Sequence, residues 1–402
     1  MRTHPHTPRP QRPQRGFTLV ELLLGSFLGT LIATSVYKVF VSTSSYYSRQ
    51  LEQTQARAGE RFALEHLKGE LRDLGRLSIL SVAPGARDPL YCGARVYSGV
   101  ELIDNDGGGN GYERPALLAR NEIAPDRLRL LVDASDATPL RVESAAGGSL
   151  RLARDLQQPS LAARRLVSPG AEGRFAQLFD VNALARVTQA STGRYDVVPV
   201  QVSALANGVA SITLASPPCP ELSCNAGGCL INPVHWVEYA VISDPDEPDR
   251  TRLARRRLDP QGGDPLTNTE LSLAEYVVNF QVWGDYDTRG GNAGGPVVSG
   301  VGLAPQVPLD PLLRDDRGNW AGQLQEGAVM NRWPHRLRGV NALISVRESR
   351  LDPALPAPIN AANDLPAQEV RAVLVSTPKG EGYARVSSVV GGVETPNLYR
   401  GD

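Results

Sequence analysis

A predominantly apolar stretch runs from Phe17 to about Val41, and the polarity pattern changes on either side of it. Before it, residues 1–16 carry Arg2, Arg9, Arg12 and Arg15 with no acid, and Pro5, Pro8, Pro10 and Pro13 oppose a helix. After it, Leu51, Ala58, Phe62, Leu67, Leu71 and Leu74 recur mostly three, four or seven apart. Glu52, Gln53, Arg57, Glu60, Arg61, Lys68 and Arg72 fill most of the remaining positions. That is the stripe of an amphipathic helix. No proline interrupts the chain between Gly16 and Pro84. The spacing therefore predicts one helix from Phe17 to about Leu74, about 85 Å long at ~1.5 Å per residue. Its first half, 17–41, is long enough to span a bilayer, which takes about 20 residues. Its second half, 42–75, offers an apolar stripe to a supporting surface.

From Pro84 to Asp402 the period shortens and turn residues multiply. Arg127–Val132, Val209–Leu214, Trp236–Ile242, Arg250–Leu258, Tyr276–Trp283, Val340–Val346, Val370–Ser376 and Ala384–Val390 read as strands. Asp244-Pro245-Asp246-Glu247-Pro248-Asp249 reads as the acidic turn of a hairpin between the third and fourth of these. Long loops are expected at about 104–113, 285–318 and 350–366. No internal repeat or domain linker stands out. The expected class is α+β: a long N-terminal helix packed on one β-rich body, 84–402.

Composition supports that picture. Gly (39) and Pro (31) are frequent and aromatics are only 6%, which favours short strands and loops over helical bundles. The formal net charge of −1 gives no sign of a dedicated nucleic-acid binder. The arginines precede the apolar stretch, so they stay on the cytoplasmic side and the body lies outside. There disulfides persist. Cys92, Cys219, Cys224 and Cys229 allow two bridges in three connectivities. Zinc sites favour tighter Cys-x₂-Cys pairs, and His235 is the one histidine near the cluster in sequence.

One carboxylate, Glu21, lies inside the start of the apolar stretch, where a lone acid is costly and calls for a partner. It belongs to the run Gly16-Phe17-Thr18-Leu19-Val20-Glu21. A small residue stands before the apolar stretch, and no A-x-A-like site follows it, unlike an ordinary secretory signal. The run resembles the prepilin-type cleavage and methylation motif G-F-T-x-x-E, without a gap. The resemblance implies that prepilin peptidase cuts after Gly16 and methylates the new N-terminus, Phe17. Glu21 would then neutralise the α-amino group of Phe17, on its own chain or on a filament neighbour. A carboxylate in the first helical turn also suits the positive end of the helix dipole. Gly25 and Gly29 form a G-x-x-x-G pair that permits close helix approach; chance spacing of small residues explains it as well.

Tyr276–Asp287, Arg338–Arg347 and Val386–Arg400 resemble, more loosely, the later strands of PilW-type minor pilins, although Leu398 and Tyr399 break the closing pattern. The resemblance implies a minor pilin of a type IV pilus, held in the inner membrane with its body in the periplasm. It would assemble with other minor and major pilins on an inner-membrane assembly platform. It then sits in a priming or tip complex at the cell surface, where a tip adhesin is a further expected partner. A J-type pseudopilin of a type II secretion system is the first alternative, and a membrane-tethered binding module or enzyme the second.

Other chemistry is sparse. Asp104, Asp106, Asn110 and Glu113 could offer oxygens to calcium, but Gly108 replaces an EF-hand ligand and the same residues make a turn-rich loop. Asp285, Asp287 and Asn292 are a weaker set of the same kind. Arg252, Arg255, Arg256 and Arg257 read as a solvated hairpin strand rather than a nucleic-acid surface. No G-x-S-x-G, H-E-x-x-H, P-loop or G-x-G-x-x-G motif occurs, so no enzyme activity and no cofactor are expected.

Overall fold

The computed structural model describes residues 18–72, 90–93, 99–103, 114–121, 123–135, 138–224, 228–287, 297–301, 337–349, 372–377 and 380–394. Two compact units divide between Thr54 and Gln55. Helix α1 runs continuously from Leu19 to Arg72, 54 residues or about 80 Å. The fold class is the expected one, a long apolar N-terminal helix followed by a β-rich body.

In the first unit, α1 is exposed almost throughout, including Leu22, Phe27, Ile32 and Phe40. An 18-residue window of this helix has a mean hydropathy of 1.8, long and apolar enough to cross a membrane.

In the second unit, α1 buries Glu60, Ala63, Leu64, Leu67 and Leu71. This corrects the expected stripe. Leu67 and Leu71 are inside, but Leu51 (60% exposed), Ala58 and Phe62 (57%) face outward, and Leu74 lies outside the described residues. The buried face is centred about half a turn away from Leu51, because Gly59 and Ala63, not Ala58 and Phe62, meet the sheet. Gly59 sits 3.7 Å (as a built Cβ) from the methyl of Ala274.

The strands come in chain order. β1 (Val100–Ile103) and β2 (Arg127–Asp133) flank the short α2 (Ala116–Arg120). Then follow β3 (Leu140–Ala146), β4 (Ser149–Leu152), the helices α3 (Leu161–Val167) and α4 (Glu172–Leu178), β5 (Leu184–Gln189), β6 (Tyr195–Ala206) and β7 (Val209–Leu214). β8 (Cys229–Ser243), β9 (Thr251–Arg257) and β10 (Leu271–Glu275) complete a ten-stranded sheet. β11 (Val277–Asp287), β12 (Val297–Val301), β13 (Leu337–Arg347), β14 (Ala372–Thr377) and β15 (Gly380–Glu394) form a second sheet in the order β12-β11-β13-β15-β14. Every strand read from the sequence is present. β12 falls inside the expected 285–318 loop, and β1, β3–β6, β10 and the short helices were not anticipated.

The larger sheet closes on itself. β8 pairs β3, then β4, β7, β6 and β5 follow, and β5 pairs β8 again: a six-stranded antiparallel barrel. Closure removes the free edges a flat sheet would expose. The barrel encloses its own core, with Leu150, Leu152, Val187, Val200, Ile212 and Ile231 inside. Phe175 of α4, Phe179 at its C-terminal end, and Leu166 and Val167 of α3 add to it.

β8 serves two structures in turn. Cys229–Ile231 pair β3 and Cys229–Val234 pair β5; Val234–Tyr239 pair β2 and Val237–Ser243 pair β9. Pro233 sits at the exchange. Its carbonyl accepts the Ala134 N–H at 3.0 Å. Its missing N–H falls on that same side, where β3 has ended and β2 has not begun, so no ladder bond is lost there.

The principal core brings together α1, the β1-β2-β8-β9-β10 end of the first sheet and strands β11, β13, β14 and β15 of the second. Leu67, Leu128, Tyr239, Phe280, Ile344 and Val373 belong to it. α1 comes close enough to β15 that a Cβ on Gly391 would lie 2.6 Å from Leu64 Cδ2. Asn121, at the end of α2, holds the outer strand β14 like a strand residue. Its side-chain amide donates to the Leu374 carbonyl (3.0 Å) and its carbonyl oxygen accepts the Leu374 N–H (2.8 Å).

Candidate functional site

The start of α1 is built by two side chains three residues apart. Thr18 Oγ1 accepts the Glu21 backbone N–H at 3.2 Å, and the Glu21 carboxylate accepts the Thr18 N–H and hydroxyl, both at 2.9 Å. This reciprocal pair is a capping box, satisfying backbone donors that the first helical turn leaves without partners. The acid singled out in the sequence thus has a local hydrogen-bonding role at the helix end. Gly16 and Phe17 lie outside the described residues.

Further along the apolar half, the serine and threonine hydroxyls are spent on the helix backbone. Ser26, Thr34 and Ser35 donate to the carbonyls of Leu23 (2.9 Å), Thr30 (2.7 Å) and Leu31 (2.9 Å). Ser and Thr bonded in this way leave no loose donor for an apolar environment to penalise.

The second half of α1 is joined to the body by polar contacts within its buried face. Glu60, 3% exposed, accepts the Ser387 hydroxyl at 2.5 Å, and burial raises its pKa. Tyr239 donates to Glu70 at 2.5 Å, Arg255 Nε to the other Glu70 oxygen at 2.7 Å, and His66 Nδ1 lies 3.1 Å from the Tyr239 hydroxyl. Burial lowers the His66 pKa from 6.5, so this ring is neutral at pH 7.

The arginines read as a solvated strand are instead engaged inside the body. Across four strands one row alternates in sign: Glu101, Arg129, Glu238, Arg256. Glu238 is fully buried and receives Arg129 Nε (3.1 Å), Arg256 Nε and Nη2 (2.9 and 2.7 Å) and Arg127 Nη1 (3.4 Å). Arg257 makes a two-pronged pair with Asp180 at 2.7 Å, and Arg252 pairs Glu270 at 2.6 Å. The partners lie up to 185 residues away, which is why the local run of charge misled. Gly263, at φ +79°, lets the β9–β10 connection lie against Trp236, where a Cβ would be 3.3 Å from the ring.

All four cysteines are paired: Cys92 with Cys219 and Cys224 with Cys229. The first bridge fastens the segment 90–93 to the barrel beside Tyr195, whose carbonyl accepts the Cys92 N–H at 3.1 Å. The second closes a short loop at the start of β8. His235, the candidate fourth zinc ligand, takes part in neither. It lies beside Leu178, Asp180 and Arg257, and burial pushes its pKa down to about 3. Among the described residues no group of three or more His, Cys, Asp or Glu side chains is arranged to hold a metal ion. Asp104, Asp106, Asn110 and Glu113 lie outside the described residues, as do Asn292 and the side chains of Asp285 and Asp287.

The comparisons with known proteins point to the same end of the chain. The family described as Prokaryotic N-terminal methylation motif matches residues 11–37, covering the run from Gly16 to Glu21 and most of the apolar half of α1. No curated protein and no solved structure matches the chain. The matched motif supports a pilin-like or pseudopilin-like protein with a membrane-anchoring N-terminus.

Proposed function

We propose that this chain is a minor pilin of a type IV pilus, of the PilW kind, that acts by assembly and has no enzymatic turnover. The observation that carries the reading is the methylation motif at residues 11–37 at the head of an uninterrupted 54-residue helix. Prepilin peptidase removes residues 1–16 and methylates Phe17. The subunit stays in the inner membrane through 17–41, with its body in the periplasm, until it joins other pilins on the assembly platform. Glu21 holds its charge in the capping box until an N-terminal amine of its own chain or a neighbour replaces Thr18 as partner; an opposite charge is what a carboxylate in apolar surroundings requires. Tyr276–Asp287, Arg338–Arg347 and the described part of Val386–Arg400, the stretches that resemble PilW-type proteins, belong to the second sheet, and the resemblance favours a minor pilin over a major one.

Co-expression with a prepilin peptidase tests the reading. The mass of the chain should fall by residues 1–16 and rise by one methyl group on Phe17. An unshifted mass refutes both the pilus and the secretion-system assignments. Recovery of the mature chain with sheared pili, and not with a type II secretion complex, distinguishes the two.

A further inference from the structure

We propose that the helical cap of the barrel is a docking surface for an anionic phospholipid bilayer. The cap comprises the 3-10 turn Asp155–Gln157, α3 and α4. Its inner face is fully committed: Ala163, Leu166, Val167, Phe175 and Phe179 are buried in the barrel core. Its position is fixed by Gln158, whose side chain is bonded to Arg141 and Ala153, and by Ser160, whose hydroxyl caps α3 at the Ala163 N–H (3.1 Å).

The outer face has a different character. Arg154, Arg164, Arg165 and Arg174 are all exposed, and no ion pair among the described residues engages their guanidinium groups. They contrast with the arginines of β9, each of which is held by a carboxylate. The cap carries two acids. Glu172 is turned to the Gly170 N–H at 3.2 Å. With Arg154, which directly precedes the cap, residues 154–178 hold four arginines against Asp155 and Glu172, a surplus of two positive charges. Between the arginines stand two leucines with little cover, Leu156 (77% exposed) and Leu161 (64%).

Cationic side chains interleaved with uncovered leucines complement the headgroup–acyl boundary of an anionic bilayer. The charges meet phosphate while the leucines leave water. The same face suits nucleic acid poorly. Both aromatics of the cap, Phe175 and Phe179, are fully buried, so no ring is offered for stacking on bases. The chain carries its own candidate membrane span, so a bilayer surface is present wherever the protein is anchored. The inference does not depend on processing or filament assembly.

The test uses the full chain held by α1 in phosphatidylcholine nanodiscs, mixed with sedimentable vesicles. Vesicles rich in phosphatidylglycerol should pull the nanodiscs down several-fold better than pure phosphatidylcholine vesicles, and high salt should abolish the difference. Arg164→Gln with Arg165→Gln should weaken the partition roughly fivefold per charge removed. Leu156→Ser with Leu161→Ser should weaken it at unchanged charge. All sites are exposed, and near-UV circular dichroism verifies that each variant is folded. Equal sedimentation with both vesicles overturns the proposal, as does an anionic preference that survives the arginine changes. Capture of a short duplex DNA through these arginines, with no preference between vesicles, would assign the face to nucleic acid instead.

Discussion

Two buried side chains make the body sensitive to single substitutions. Glu238 is fully buried among three guanidinium groups. Glu238→Gln should cost about 3–5 kcal/mol in urea unfolding, because it strands several buried charges around a neutral group. A loss under about 1 kcal/mol would mean that water reaches the row. His235 titrates in the opposite sense to an ion-paired histidine. Its folded pKa is about 3 against an ordinary value of 6.5. Between those limits the unfolded chain binds the extra proton. Stability is therefore complete above pH 6.5 and falls by about 1.4 kcal/mol per pH unit as pH drops toward 3. Glu60 and Asp196, whose pKa values are raised by burial, work against this trend. The contribution of the ring is thus the difference between wild type and His235→Gln, measured from pH 7 to pH 4. The variant should have the shallower acid slope; parallel curves would contradict the assignment.

At the level of elements, the two faces of α1 predict opposite results. Leu67 is fully buried, so Leu67→Ala should cost about 2–5 kcal/mol. Phe62 is 57% exposed, and Phe62→Ala should change stability by less than about 0.5 kcal/mol. Chemical unfolding of the two variants checks the pair, and a large loss at Phe62 would restore the stripe expected from spacing. That stripe shows where legibility ends. The helix itself was readable, since a proline-free run with helical spacing to about Leu74 needs no tertiary information. Which side faces the sheet was not, because the buried face includes Glu60 and Gly59 and the exposed face includes Leu51 and Phe62. β8 shows the same limit. The sequence reading begins at Trp236, whereas the strand starts at Cys229 and runs through Pro233, which falls where the partners on one side change. The barrel strands β3–β6 were invisible for a related reason. The pairing of β3 and β5 to β8 that closes the barrel is non-local, and two short helices interrupt the alternation between β4 and β5. At the site, the run from Gly16 to Glu21 was legible because its chemistry is contiguous, whereas the carboxylates that hold the β9 arginines are scattered through the chain.

For the whole molecule, the two disulfides are unequal. Cys92–Cys219 spans 127 residues and Cys224–Cys229 spans 5. In the chain-entropy view the long bridge restrains the unfolded state by about 5 kcal/mol and the short one by about 2 kcal/mol. Cys92→Ser with Cys219→Ser should therefore lower the thermal midpoint more than Cys224→Ser with Cys229→Ser. Differential scanning calorimetry of the two double variants decides it, and a reversed order would show that native-state packing of the short loop outweighs chain entropy.

The insertion of the barrel has a mechanical consequence. The chain leaves the β2–β8 ladder at Asp133 and returns at Val234, two residues that face each other across one rung. A pull on the barrel through these strands alone would load that rung first and open the ladder one bond at a time, the weakest way to stress a sheet. The bridge from Cys219 to Cys92 supplies a parallel covalent line, so part of the tension passes to the segment 90–93 and the rungs are relieved. Oxidised, the body behaves as a strut; reduced, the same body has a tear line running down β8.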